Sequence, residues 1–256
     1  MIESTDTRSL KALFSFPFQG RDWPGRFLVG SLLIAAGYII PIIPLIFVLG
    51  YVLQVLRQAV EGQEPALPAW DNWGKLGGDG LRLFAVTLIY TLPGAIVFIG
   101  GVLIYFLGIF GLSASGNSDA AGLLFLFVLG FFLLALFVGM ALLILGLIPL
   151  PMAAANLAAQ GRVGAGFQVG ELNRLIGANK LGYLVAWVVT LGLYALWSLG
   201  ATLIYYTMCL CGLLPLLAAP VAFYLGLVGA ALFGRTYRES RALLAARTVT
   251  PQTNEA

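Results

Sequence analysis

Residues 27–56 read FLVGSLLIAAGYIIPIIPLIFVLGYVLQVL, thirty residues without a charge, broken at the centre by Pro41 and Pro44. A single membrane span needs about 20 apolar residues. The stretch is therefore either one long tilted span kinked at its prolines or a hairpin of two shorter arms. Each proline removes a backbone donor and disfavours helix in the residue before it. The arms of a hairpin are about 12–14 residues, roughly 18–21 Å at 1.5 Å per residue, which is short of a hydrocarbon core about 30 Å thick.

Charge separates the two readings. The 14 Lys/Arg residues fall in four places: Arg8, Lys11, Arg21 and Arg26; Arg57, Lys75 and Arg82; Arg162, Arg174 and Lys180; Arg235, Arg238, Arg241 and Arg247. The connections Leu112–Asp119 and Cys209–Pro215 have none. Lys and Arg concentrate in cytoplasmic loops. A single span over 27–56 puts four of them outside, whereas a hairpin puts all four basic regions inside. The hairpin is favoured, with both termini cytoplasmic, in the plasma or inner membrane.

The rest of the chain follows the same pattern. Hydrophobic residues make up 60% and charged residues 10%, against about 45–50% and about 25% in soluble domains. Only a bilayer accommodates that excess. Three further charge-free stretches, Leu83–Ser118, Ala120–Gly161 and Leu181–Gly234, run to 36, 42 and 54 residues, long enough for more than one helix or for a helix with an apolar connection. The expected fold is an all-α polytopic transmembrane helix bundle, with about six membrane-embedded segments in three hairpins. We divide it into an N-terminal cytoplasmic or interfacial segment (1–26), one transmembrane domain (27–234) and a frayed basic cytoplasmic tail (235–256). The first 26 residues hold seven charges, three of them acidic, unlike a cleavable signal.

A weak repeat is visible. Ile40-Pro41-Ile42-Ile43-Pro44 leads into an apolar helix ending at Arg57, and Leu214-Pro215 to Pro220 leads into one ending at Arg235. Each hairpin is introduced by a partly polar stretch: Ser9–Phe18, Trp70–Arg82 and Phe167–Asn179. In the third, Val169, Leu172 and Ile176 share one helical face and Glu171 and Arg174 lie on another, the pattern of a helix in the headgroup plane. Leu10, Leu13 and Phe14 before Pro17 make a similar face. Trp23, Trp70 and Trp73 flank apolar runs, where indoles sit at membrane–water boundaries. Anchoring is the plain reading of these flanks; a lipid- or partner-binding cytoplasmic rim is the sharper one.

Candidate chemistry is sparse. With no histidine, the commonest metal ligand and neutral-pH base are missing. No ionisable residue other than Tyr or Cys lies inside the charge-free stretches, which argues against proton-coupled carriers, intramembrane aspartyl proteases and voltage sensors. Thr87, Tyr90, Thr91, Thr190, Tyr194, Ser198 and Thr202 could line a path, although such hydroxyls usually bond their own backbone or a neighbouring helix. Tyr90-Thr91-Leu92-Pro93-Gly94 reads as a static bend before a hinge. Gly226, Ala230 and Gly234 form a small-residue ridge, for internal packing first and dimerisation second. Cys209 and Cys211 read as small apolar fillers, since a metal would need a third ligand. Gly74-Lys75-Leu76-Gly77-Gly78-Asp79-Gly80 lacks the order of a phosphate loop and reads as a flexible turn. Glu61, Glu64, Asp71 and Asp79 read as carboxylates of a solvated loop. No cofactor or metal is expected.

Several segments together resemble a prokaryotic membrane family, the domain of unknown function 4013. They are Gly50-Tyr51-Val52-Leu53-Gln54-Val55-Leu56-Arg57, Gly62, Leu67-Pro68-Ala69-Trp70-Asp71-Asn72-Trp73-Gly74 and Asp79-Gly80-Leu81-Arg82. Upstream, Phe14-x-Phe16-Pro17-Phe18 and Asp22-Trp23 fit, as does a later block from Asn156-x-x-Ala159 through Gly166-Phe167 to Asn179 and Tyr183-Leu184. Gln54 departs from the pattern, which has a basic residue there. The resemblance covers most of residues 10–240; it implies a helical membrane fold and no activity.

Three functions remain open. The first is a membrane interaction or scaffold protein acting through a cytoplasmic rim of Arg57, Trp70, Asp71, Trp73 and Gly74. The second is a facilitator or channel for a small or lipid-like solute. An interfacial lipid-acting enzyme using the loop carboxylates comes last, and a non-enzyme is expected. Expected partners are the lipid bilayer and either another protein or further copies of the chain; the net charge of +3 calls for no nucleic acid.

Overall fold

A computed structural model describes residues 12–115, 118–206 and 214–249. Among them are eight long helices and no strand: α1 (Trp23–Ala36), α2 (Ile43–Glu61), α3 (Trp73–Ser115), α4 (Ser118–Leu147), α5 (Leu150–Gln160), α6 (Val169–Ala178), α7 (Lys180–Tyr206) and α8 (Leu214–Val249). The chain is an all-α helical bundle. Five helical runs are long and apolar enough to cross a membrane: α2, Trp73–Leu112 of α3, Gly122–Gln160, α7 and Leu214–Arg247 of α8. The sixth segment, α1, has 14 residues, about 21 Å of helix.

Residues 27–56 form two helices. α1 ends where the amide of Ile40 donates to Ala36 O (2.8 Å), and Ile43 N donates to Pro41 O (3.0 Å) across Ile42, whose φ of 77° is left-handed. Pro44 falls in the first turn of α2, where its missing N–H costs nothing. The arms fold back on one another. Gly30 and Phe27 of α1 and Tyr51 of α2 all meet Phe223 of α8, while Val52 lies by Gly226 and Ala59 by Gly234. Thus α2 and α8, the two helices of the weak repeat, run side by side in the same direction. The small-residue ridge of α8 faces α2: a Cβ on Gly234 would sit 2.6 Å from that of Ala59.

Where one transmembrane domain is expected, the chain divides into two compact units: Met1–Phe84 with Pro151–Ala256, and Ala85–Leu150. The second unit is a hairpin of α3 and α4. Side chains on Gly94, Gly101, Gly139 and Gly146 would strike the opposing helix, so these glycines permit close approach. Tyr105 stacks on Phe132 with centroids 4.4 Å apart. α3 runs unbroken through Pro93, and Thr91 Oγ1 donates to Thr87 O (2.9 Å).

The remaining differences lie in the first unit. Gly74–Gly80 is the opening of α3, not a turn. α8 continues without a break across residue 234 to Val249, and Thr236, Tyr237 and Ser240 are buried while residues 241–247 are largely exposed, so the frayed tail expected from residue 235 is helical, and packed as far as Ser240. Pro151 lies in the first turn of a separate short helix, α5, whose residues 152–158 are all buried. α6 buries Leu172, Leu175 and Ala178 and exposes Val169; its inner face is rotated from the expected one because it packs on α8. The N-terminal segment does likewise, burying Leu13 and Phe16, with Tyr224 Oη donating to Phe14 O (3.1 Å). Cys209 and Cys211 lie outside the described residues.

Candidate functional site

The polar end of the first unit is built around the crossing of α2 and α3. A Cβ on Gly50 would overlap the carbonyl of Leu76, and one on Gly80 that of Ile46. Two glycines therefore let the backbones touch, and the contact carries Asp79 inward, to 3% exposure.

Asp79 is fully engaged there. Arg57 Nη1 donates to its Oδ2 (3.1 Å) and Arg82 Nη1 to its Oδ1 (3.1 Å). Arg57 Nε donates to Ala158 O (3.2 Å), tying α5 to the pair. A buried carboxylate is tolerated only when paired and hydrogen-bonded, and two guanidiniums supply both. The cluster keeps one net positive charge. Asp79 is thus a structural anion and not a loop carboxylate.

A second polar knot holds α5, α6 and α8 together. Asn156, fully buried, donates from Nδ2 to Ala165 O (2.9 Å) and Gln168 Oε1 (3.3 Å). Its Oδ1 accepts from Gln160 Nε2 (3.0 Å) and Tyr237 Oη (2.8 Å). Arg241 pairs with Glu171 (3.0 Å) and lies 5.9 Å from the Tyr237 ring centroid.

The expected rim of Arg57, Trp70, Asp71, Trp73 and Gly74 divides. Trp70 is half-buried: its ring stacks on Tyr51 (4.1 Å between centroids, 14° between planes), and its Nε1 donates to Arg26 O (2.8 Å). Tyr51 Oη in turn donates to Pro68 O (2.8 Å), and Arg26 Nη1 to Leu67 O. The linker before α3 is strapped down by these bonds. Arg57, six residues beyond Tyr51, or about 9 Å along the helix, turns to Asp79. Asp71, Trp73 and Gly74 lie outside, with Trp73 43% exposed and edge-on to Phe47 (5.4 Å). Asn72 caps α3, its Oδ1 accepting from Lys75 N (3.0 Å), and the Trp73 ring rests against Phe47 and Trp70 (5.6 Å between centroids for the latter).

Sequence reasoning passes over Asn156 and Tyr237 as site residues and offers Asp79 only as a solvated loop carboxylate of the least favoured, enzymatic reading. One signal was there: Asp79 and Arg82 are three apart, the spacing of a helical ion pair. Among the described residues no three His, Cys, Asp or Glu side chains are grouped to hold a metal. The hydroxyls of Thr91, Thr190 and Thr202 bond carbonyls one turn back on their own helices.

A family model described as a protein of unknown function (DUF4013) matches residues 33–206. The chain belongs to this family. The matched span holds the α2–α3 crossing, Asp79 with both its arginines, the Trp70–Trp73 linker and Asn156; it stops before α8, which supplies Tyr237. No curated protein and no solved structure matches the chain.

Proposed function

We propose that this multi-pass membrane protein is a scaffold, presenting the surface around Asp71, Trp73, Gly74 and Lys75 to a protein partner at the cytoplasmic face of the cell membrane. One observation carries the reading. At the polar end of the first unit the buried charges and amides are spent on one another, whereas Trp73 is held outside on a capped helix start. A rigid, half-exposed indole beside charged neighbours is the residue type that anchors protein interfaces. The basic composition of this end supports its cytoplasmic placement. Hydroxyls bonded to their own helices add nothing to a transport reading.

The test is co-purification from native membranes with Asp71→Asn/Trp73→Ala, against Trp70→Ala as the structural control. The expected result is loss of a stoichiometric partner, or of self-association, with the unfolding midpoint unchanged. A stable double variant that keeps every partner of the wild type sinks the proposal.

A further inference from the structure

Two cavities meet at Arg235. The first, about 380 Å³, lies where α2 ends against α8 and is lined by the apolar Leu13, Phe16 and Ala231 and the polar Gln63 and Arg238. The second, about 190 Å³, is a furrow between α7 and α8, lined by Val185, Ala186, Val189 and Leu232 together with Arg235 and Glu239. Leu13 and Arg235 line both.

The charges are not equivalent. Arg235 Nε donates to Glu239 Oε1 (2.9 Å), and Glu239 also accepts from Asn179 Nδ2 (3.3 Å). Arg238 is exposed and, among the described residues, has no ion-pair partner. Its guanidinium lies over Gly62, whose φ is 82°; a Cβ there would be 2.7 Å from Nη1. Gly62 thus ends α2 in a left-handed turn and leaves room for Arg238 beside the cavity. Glu64 also lines this cavity and is exposed.

The geometry points to a site for one anionic phospholipid of the surrounding leaflet, its phosphate on Arg238 in the first cavity and one acyl chain in the α7–α8 furrow. α8 carries no charge from Leu214 to Gly234, and Arg235 is its first. The paired cavities therefore straddle the change from hydrocarbon to headgroup. A guanidinium suits a phosphate, and the largely apolar furrow that shares Leu13 and Arg235 with this cavity suits a chain attached to that phosphate and not a free anion. This inference is independent of the scaffold reading.

The full chain, purified in mild detergent, is given equimolar phosphatidylglycerol and phosphatidylcholine with matched chains, and retained lipid is counted by native mass spectrometry. Wild type should keep one phosphatidylglycerol per chain in preference to phosphatidylcholine. Arg238→Gln should lower that retention about fivefold, the worth of one arginine near an anionic headgroup. Val185→Trp, which fills the furrow from its half-exposed side, should lower it too, and Arg247→Gln should leave it unchanged. Equal retention of the two lipids overturns the proposal, as does retention indifferent to Arg238→Gln or to Val185→Trp. Binding of inorganic phosphate to lipid-stripped protein with the same dependence on Arg238 overturns the lipid as the source of the anion.

Discussion

Tyr237 and Asn156, far apart in sequence, meet through a 2.8 Å hydrogen bond from the phenol to the amide oxygen. The bond closes α8 onto α5, and both partners are buried. The two ends are unequal, however. Tyr237→Phe leaves Asn156 Oδ1 still accepting from Gln160, so the loss should be about 1 kcal/mol. Asn156→Leu takes the buried phenol's acceptor away, at about 1–3 kcal/mol, while the Ala165 carbonyl loses one donor and keeps Gln168 N (3.4 Å), so the loss should be about 2 kcal/mol or more. Unfolding by sodium dodecyl sulfate in mixed micelles measures both. Equal losses would mean the amide is not the hub.

The Asp79 cluster makes a graded prediction. Asp79→Ala strands Arg57, whose side chain is only 23% exposed, and should cost about 3 kcal/mol. Arg82 is 49% exposed, so Arg82→Ala should cost less than about 1 kcal/mol. Arg57→Ala should fall between them, because Arg82 remains with Asp79 while the tie to Ala158 is lost. The same unfolding titration ranks the three. An Arg82→Ala loss as large as that of Asp79→Ala would show that burial does not set the order.

The glycines at the α2–α3 crossing predict opposite signs for similar changes. At Gly50 and Gly80 an added methyl meets backbone carbonyls, which cannot rotate away, so Gly50→Ala and Gly80→Ala should each destabilise by about 2 kcal/mol or more. At Gly78, in the same turn of α3, a Cβ meets nothing within 4 Å. Gly78→Ala should then stabilise by about 0.5–1 kcal/mol, the helix preference of alanine over glycine. If all three move the unfolding midpoint the same way, close approach is not why Gly50 and Gly80 are glycine.

These residues also mark what the sequence conceals. Helices and their breaks follow from hydropathy and proline positions, which act locally, so the α1–α2 hairpin and the long apolar helices are legible in Phe27–Leu56 and its counterparts. Gly74–Gly80 is not, because four glycines in seven residues carry a low helix propensity that only a helix from elsewhere, crossing at Gly50, overrides. Asp79 reads as solvated for the same reason: its burial depends on that crossing and on Arg57, 22 residues earlier. The buried face of α6 is not legible either, because its period admits two apolar stripes and packing on α8 selects Leu172, Leu175 and Ala178. Trp70 and Trp73 look alike in sequence; the stacking surface of Tyr51 and the carbonyl of Arg26 separate them.

Labelling tests the cytoplasmic placement proposed for the basic end. The polar end of the first unit gathers Arg57, Lys75, Arg82, Arg235, Arg238 and Arg241, and such an excess is retained in the cytoplasm. Lys75 and Glu64 are both exposed there. In a Cys209→Ser/Cys211→Ser background, Lys75→Cys and Glu64→Cys should react with a membrane-impermeant maleimide in inverted vesicles and stay unlabelled in intact cells. Replacing Lys75 removes only one of the chain's 14 basic residues, so the substitution should not itself reverse the topology. Labelling of either cysteine in intact cells would place this end outside and remove the cytoplasmic setting from the scaffold reading. The anionic-lipid site would survive that result with its leaflet reversed.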